Sequence, residues 1–316
     1  MSDKLRTLYL VSPRGFCAGV ERAISIVDQM LARVEGPLYV RKEIVHNQAV
    51  VEDFRSRGVV FVEELDEIPA GAAVVFSAHG VSPAVREEAN KRRLQVVDAT
   101  CPLVTKVHKQ VVNNAAKGRH IVLIGHEGHD EVVGTMGEAP DHISLVTSEA
   151  DAASLSLPAD REVYHVTQTT LSVDETRGVV EELERRVPDL LGPAKSDICY
   201  ATQNRQDGVK HMVDRGIDHL IVVGSSNSSN SRRLCEAAER NGVSANLVGC
   251  VDELDMDELC QKVNIGLTAG ASAPEYLVQG IVDRFRTEGW VIEELTVMQE
   301  DVKFDLPIEL RSQSSD

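Results

Sequence analysis

Short apolar runs of β-forming residues, each followed by a polar turn and then by a helical stretch, recur along nearly the whole chain. TLYLV leads into a helix expected from about Ala18 to Val34; VVFV follows; AAVVFSA leads into a helix from Pro83. HIVLIG, EVYHVT, HLIVVGS and NIGLTAG repeat the theme before a last helix that ends near Arg286. Strands alternating with helices in this way build βαβ units, and the crossover helices make the strands parallel. The expected class is therefore α/β. In such sheets ligands bind beyond the strand C-termini, where helix N-termini present unpaired amides and positive dipole ends. The helix starts are well marked: Ser272-Ala-Pro-Glu275 and Ser172-Val-Asp-Glu175 fit the capping-box pattern, and Ser82-Pro83 and Cys101-Pro102 place proline at the first helical position.

Three of these turns hold a cysteine: Cys17 in RGFCAG, Cys101 in DATCPL and Cys199 in DICYAT. Their spacings of 84 and 98 residues correspond to one small α/β module each. This pattern predicts three similar lobes, 1–98, 99–195 and 196–286, followed by a tether and frayed tail over 287–316. Each of the three thiols stands at or just before a helix N-terminus, where amides and the dipole favour thiolate. No close CxxC pair marks a structural zinc site. Three thiolates gathered from distant turns suit an iron–sulfur cluster in which one iron lacks a cysteine ligand and stays open to substrate. Cys235, inside SRRLCEAAER, and Cys250 and Cys260, flanking VDELDMDEL, read as small, partly buried hydrophobes.

Charge and composition narrow the class further. With 33 Lys and Arg against 50 Asp and Glu, the net charge is −17, which excludes a general nucleic-acid binder. Hydrophobic residues make up 42% and charged residues 26%, enough apolar material for more than one core. No uncharged run approaches the roughly 18 residues needed to cross a bilayer, and the start resembles no signal peptide. The expectation is a cytoplasmic protein whose few, scattered cysteines stay reduced.

The remaining strand-end turns are rich in neutral donors. His46 lies in EIVHNQAVV, His79 in FSAHGVSP and His129 in GHEGHDEVVGTMG. Gly224 to Ser231, GSSNSSNS, sits between a strong strand and a strong helix, so its hydroxyls, amides and backbone N–H groups can converge on an anion. TAGASAP, with Ser272, repeats the arrangement at the next strand end. Neither loop is a P-loop or a GxGxxG, and neither contains lysine. An anion there meets hydroxyls, amides and imidazoles. Glu131 is the best-placed candidate general acid, and Thr167-Gln168-Thr169-Thr170 ends another strand with hydroxyls that can relay a proton.

Assembled, these segments closely resemble the 4-hydroxy-3-methylbut-2-enyl diphosphate reductase (LytB-type) family. PRGFCAGVERAI, EIVHNQAVV, FSAHGVS, DATCPLVTKVH, GHEGHDEVVGTMG, TQTTLSVDET, DICYATQNRQ, GSSNSSNS and TAGASAPE occur in family order over nearly the whole chain. The resemblance implies three α/β lobes in a trefoil-like arrangement around one 4Fe-4S cluster held by Cys17, Cys101 and Cys199. It implies a diphosphate site at His46, His79, His129, Ser228, Ser229, Asn230 and Ser272, with Thr169 near the reacting end and Glu131 as proton source. The implied activity is reductive removal of an allylic hydroxyl, giving isopentenyl and dimethylallyl diphosphate. Since the chain carries no flavin or nicotinamide motif, electrons are expected from a separate ferredoxin or flavodoxin, to a monomer or homodimer. The alternatives are a cluster-dependent hydratase without net redox and a non-catalytic cluster-bearing sensor.

Overall fold

A computed structural model describes residues 5–311. Among these residues the strands are β1 (Thr7–Ser12), β2 (Leu38–Arg41), β3 (Val59–Val62), β4 (Ala73–Phe76), β5 (Gln95–Asp98) and β6 (His120–Ile124). The others are β7 (Ile143–Val146), β8 (Val163–Thr167), β9 (His219–Val223), β10 (Ser244–Val248), β11 (Asn264–Ala269) and β12 (Val291–Thr296). They form three sheets, ordered β10-β9-β11-β1-β12, β3-β2-β4-β5 and β7-β6-β8. Every strand pairing within them is parallel. The α/β class and the three small sheets agree with the reading of the sequence.

The chain divides into two compact units: residues 5–18, 46–53 and 200–302, and residues 19–45, 54–199 and 303–311. The first unit contains the five-stranded sheet. Alternation along its strands fills a core on each face: Ile221 and Val223 pack with Leu8, Leu267 and Phe285, while Leu220 and Val222 pack with Val11, Val209 and Leu234. Helix Glu275–Thr287 covers the former face, and helices Tyr200–Asp214 and Ser229–Glu239 cover the latter. The second unit contains the other two sheets. Val74 and Phe76 form a core with Val81 and Ala89 of the segment after β4. In the three-stranded sheet, Ile121 and Leu123 pack on Val107 and Val111 of helix Pro102–Ala115, and Val122 and Ile124 pack on Val179 and Leu183 of helix Val173–Arg186.

Two sequence expectations are revised. β1, expected with the first lobe, pairs with β11 and β12 in the five-stranded sheet. Its buried residues alternate onto both faces, and a strand apolar on both faces needs the inside of a covered parallel sheet. The expected tether begins with β12, an edge strand on which Leu295 alone is buried. The part of the frayed tail over 312–316 lies outside the described residues. No helix among the described residues is long and apolar enough to cross a membrane.

Candidate functional site

Each sheet has one topological switch point, where neighbouring strands send their connections in opposite directions and leave a crevice beyond the strand C-termini. In the four-stranded sheet it falls between β2 and β4, in the three-stranded sheet between β6 and β8, and in the five-stranded sheet between β9 and β11. The turns after those six strands carry His46, His79, His129 with Glu131, Thr169, Ser228 to Asn230, and Ser272. Every candidate acid, relay or anion-binding residue thus follows a switch-point strand.

In the second unit, Glu131 lies in the first turn of helix Asp130–Met136, is 2% exposed, and faces Thr169 at the end of β8. Thr169 N donates to Oε1 at 2.6 Å, and Thr169 Oγ1 donates to Oε2 at 2.9 Å. Burial pushes the Glu131 carboxyl up from 4.5 to about 7, outweighing these two hydrogen bonds, which favour the anion. The result is an acid that holds its proton near neutrality. Thr169 also has a second partner: its carbonyl accepts the Cys199 N–H at 2.9 Å. His129 is the N-cap of the Glu131 helix, its Nδ1 accepting the Glu131 N–H at 3.1 Å, and its ring stands edge-on to His79 at 5.8 Å. His79 Nδ1 lies 3.3 Å from Ser77 Oγ, and the Cys101 N–H donates to Ala78 O at 2.9 Å. Gly134 brings this helix onto the His79 turn so closely that a Cβ there stands 3.2 Å from Gly80 O. Backbone hydrogen bonds, the Glu131–Thr169 pair and the His79–His129 ring contact thus link the turns that carry His79, Cys101, His129, Glu131, Thr169 and Cys199 within one unit.

The raised Glu131 pKa makes stability pH-dependent. Below pH 4.5 folded and unfolded chains both bind this proton; between 4.5 and about 7 only the folded chain keeps it; above 7 the folded state carries a buried charge. The stabilisation is complete at low pH and is lost as pH rises through 7, by about 3 kcal/mol. Glu131→Gln keeps an acceptor for Thr169 N and does not titrate. Denaturant melts at pH 5 and pH 8 are expected to show the variant gaining stability relative to the parent at pH 8; an equal difference at both pH values contradicts the burial account.

In the first unit, the turn after β9 opens helix Ser229–Glu239. Ser228 Oγ accepts from Ser231 N at 3.3 Å and Ser231 Oγ at 3.1 Å, which leaves its own proton to donate. Ser229 Oγ is buried and makes no hydrogen bond among the described residues. Asn230 Oδ1 accepts Ala271 N–H at 2.8 Å, so its amide NH2, 3.3 Å from Thr202 Oγ1, is the group available to an anion. Two hydroxyls, one amide and a helix N-terminus form a cradle of donors without a fixed cation. Ser231, the last residue of that run, shapes it: a Cβ on Gly224 or Gly270 would stand 2.3 or 2.0 Å from Ser231 Oγ. The glycines at these strand ends make room for that hydroxyl.

Ser272 requires a correction. Its helix begins at Glu275 with Pro274 as N-cap, so the expected capping box is absent, and Ser272 Oγ instead donates to His46 O at 2.9 Å. Ser172 does stand at the N-cap of its helix, but its side chain makes no capping hydrogen bond, so the expected capping box is absent there too; Ser82 caps through Val85 N with Pro83 at the first position. Pro274 is extended, and the helix starts only after it, three residues beyond Ser272.

The three singled-out cysteines occupy equivalent local positions. Cys17 precedes helix Ala18–Arg33, Cys101 is the N-cap of Pro102–Ala115, and Cys199 precedes Tyr200–Asp214. All three are partly exposed, and no disulfide is formed by any of the six cysteines among the described residues. Each local backbone is pinned: Cys17 N–H donates to Ala271 O at 3.1 Å, and Tyr200 Oη accepts Ala18 N–H at 3.2 Å. Burial pushes Tyr200 up to about 12, so this hydroxyl keeps its proton. Cys235 contrasts with them, packing on the Val209–Leu234 core with its thiol pushed up to about 12 by burial and then by Glu239 and Glu236. Such a thiol is inert.

A model of the family described as LytB protein matches residues 8–286. The 4-hydroxy-3-methylbut-2-enyl diphosphate reductase of Azoarcus sp. (strain BH72) is 54% identical over 305 residues, covering 96% of this chain and 97% of its own. The enzyme of that name from Histophilus somni (strain 2336) is 53% identical, with 96% and 98% covered. Among solved structures, the E-1-hydroxy-2-methyl-but-2-enyl-4-diphosphate reductase of Plasmodium falciparum superposes with a TM-score of 0.94 at 38% identity, covering 97% of each chain. A second, of (E)-4-hydroxy-3-methyl-but-2-enyl diphosphate reductase, described as the terminal enzyme of the non-mevalonate pathway, gives 0.63 at 29% identity, covering 90% of this chain and all of that one.

Proposed function

This chain belongs to the LytB protein family, and from that membership we propose its activity and assign its residues. It is an enzyme that reduces 4-hydroxy-3-methylbut-2-enyl diphosphate to isopentenyl and dimethylallyl diphosphate, the terminal step of the non-mevalonate route to isoprenoids. The reaction replaces an allylic C–OH by C–H, taking up two electrons and two protons and releasing water. Cys17, Cys101 and Cys199 are assigned as the ligands of one 4Fe-4S cluster per chain. The donor set fits that group: all sulfur, partly exposed, each at a helix start, and three in number, which leaves one iron without a cysteine. When bound, the cluster supplies electrons and a Lewis-acidic position for the substrate hydroxyl.

The protein's own part is to hold the anionic end and to deliver a proton. His46, His79, His129, Ser228, Ser229, Asn230 and Ser272 are assigned to the diphosphate. The donors after β9 support this, since Ser229 Oγ is buried with no hydrogen bond among the described residues and an anionic oxygen satisfies it. Ser272 joins by exchanging its bond to His46 O. Glu131, protonated near neutrality, donates to Thr169 Oγ1 as that hydroxyl turns from Glu131 Oε2 and gives its own proton to the departing hydroxyl, turning a poor leaving group into water. The observation that carries the reading is Thr169 itself, which binds the Glu131 carboxyl through N and Oγ1 and the Cys199 amide through its carbonyl. Proton source and ligand turn share one residue. Electrons are assigned to a separate ferredoxin or flavodoxin in a reducing, cytoplasmic setting.

Anaerobic turnover with a reduced viologen dye tests the reading. Two reducing equivalents are expected to disappear per molecule of product, and turnover without dye oxidation contradicts it. Ser229→Ala and His129→Asn are each expected to raise KM about 10–100-fold, the effect of one hydrogen bond to a charged group, with kcat changed less. A fall in kcat at constant KM shows that these residues do not bind the diphosphate.

A further inference from the structure

Arg205 heads the largest fully buried side chains among the described residues, yet it lies within a helix, Tyr200–Asp214, where a hydrophobic residue would pack without loss of hydration. What it touches accounts for it. Nη2 and Nε donate to Gly15 O at 2.7 and 3.2 Å, and Nη2 also reaches Phe16 O at 3.5 Å. Nη1 donates to Ala201 O and to Glu300 Oε1, both at 3.0 Å. Glu300 Oε1 also accepts from Asn204 Nδ2 at 2.8 Å. The guanidinium thus grips two consecutive carbonyls immediately ahead of Cys17 and is neutralised by a carboxylate from the segment after β12.

The Gly15–Cys17 turn depends on this grip. Gly15 has a positive φ of 66°, and a Cβ there would stand 3.1 Å from Ala273 O, so the turn is wedged against the neighbouring strand end. Its amides are fixed by Gly15 N to Ala269 O at 3.3 Å and Cys17 N to Ala271 O at 3.1 Å. Arg205 supplies the opposite half by taking the carbonyls. A planar fork spreads its donors over three nitrogens and can engage the turn carbonyls and Glu300 together, a geometry that the single nitrogen of an ammonium does not reproduce.

We infer that Arg205, with Glu300 as its counter-charge, is a positioning residue for Cys17, and that the segment after β12 belongs to the ligand scaffold. The inference rests on the assignment of Cys17 as a ligand. The test uses the full chain with Arg205→Lys and Glu300→Gln. Glu300 lines an open cleft of about 650 Å³ with Arg14 and Asp301, so water reaches the altered amide and this variant carries the test alone if the lysine variant does not fold. Alkylation of Cys17, Cys101 and Cys199 by iodoacetamide is followed separately by peptide mass spectrometry on iron-free protein, and iron release to a chelator is followed on the anaerobically loaded enzyme.

In Arg205→Lys, Cys17 is expected to react about tenfold faster, the factor produced by loss of one charged hydrogen bond from a local opening equilibrium. Glu300→Gln is expected to show a smaller rise in the same direction. Cys101 and Cys199 keep their rates, and iron leaves faster. Unchanged Cys17 rates in both variants overturn the inference, as does an equal rise at all three cysteines, which marks general loosening. Cys17→Ala separates the premises: full iron retention there defeats the ligand assignment and the inference with it, whereas iron loss there with unchanged Arg205 and Glu300 variants defeats the inference alone.

Discussion

Glu131→Gln lowers kcat by about 10²–10⁴-fold, the range that a positioned general acid contributes, while iron content and KM stay near those of the parent enzyme. The amide is nearly isosteric, retains an acceptor for Thr169 N, and cannot release a proton. Because the carboxyl stays protonated up to about pH 7, the parent kcat is expected to fall as pH rises through that value, and the residual activity of the variant to lose that limb. Thr169→Val, which removes the hydroxyl bonded to Glu131 Oε2 and proposed as the relay, is expected to share the loss. Full turnover by Glu131→Gln would move the proton source elsewhere.

Removal of any one of Cys17, Cys101 and Cys199 has the second large consequence. Each alanine variant, isolated anaerobically, is expected to lose stable cluster. The fall in metal affinity exceeds the about 10–100-fold that loss of even an outer-shell partner costs. Cys235→Ala keeps its iron, because that thiol is packed in an apolar core and held protonated. Equal iron loss from all four variants contradicts the assignment, and it does so whatever their activities.

The parts of the molecule that repeat a local rule were legible in the sequence. Long apolar strands such as β9, wholly buried, and β11 announce themselves by composition. Cys101-Pro102 and Ser82-Pro83 mark helix starts that the structure contains. The short strands β2, β5, β7 and β10 escaped because four or five residues with one apolar face do not stand out from a loop. β12 escaped because its Glu293 and Glu294 lie along an exposed edge, where a strand needs little apolar content. The insertion of β1 beside β11 is a pairing of residues more than 250 positions apart, and no local pattern encodes it.

The candidate site divides in the same way. His79, His129, Glu131 and Thr169 share a crevice geometry that the strand-end rule anticipates. The groups that shape the turn after β9 and the Cys17 turn are less legible. Ser231 was hidden in a run of similar serines, and Arg205 reads as a surface residue because mid-helix arginines are usually exposed. Ser272 looked like a cap because serine, proline and glutamate have the right spacing, but its hydroxyl found a carbonyl from another part of the chain. Long-range hydrogen bonds decide these roles, and only coordinates reveal them.

The most direct check on the whole account is the iron and acid-labile sulfide content of anaerobically purified protein, taken with its electronic spectrum. Four irons and four sulfides per chain, with the broad thiolate-to-iron absorption of a cubane, are the result expected if three cysteines hold one such cluster. A mononuclear metal, or iron without labile sulfide after careful reconstitution, would contradict it.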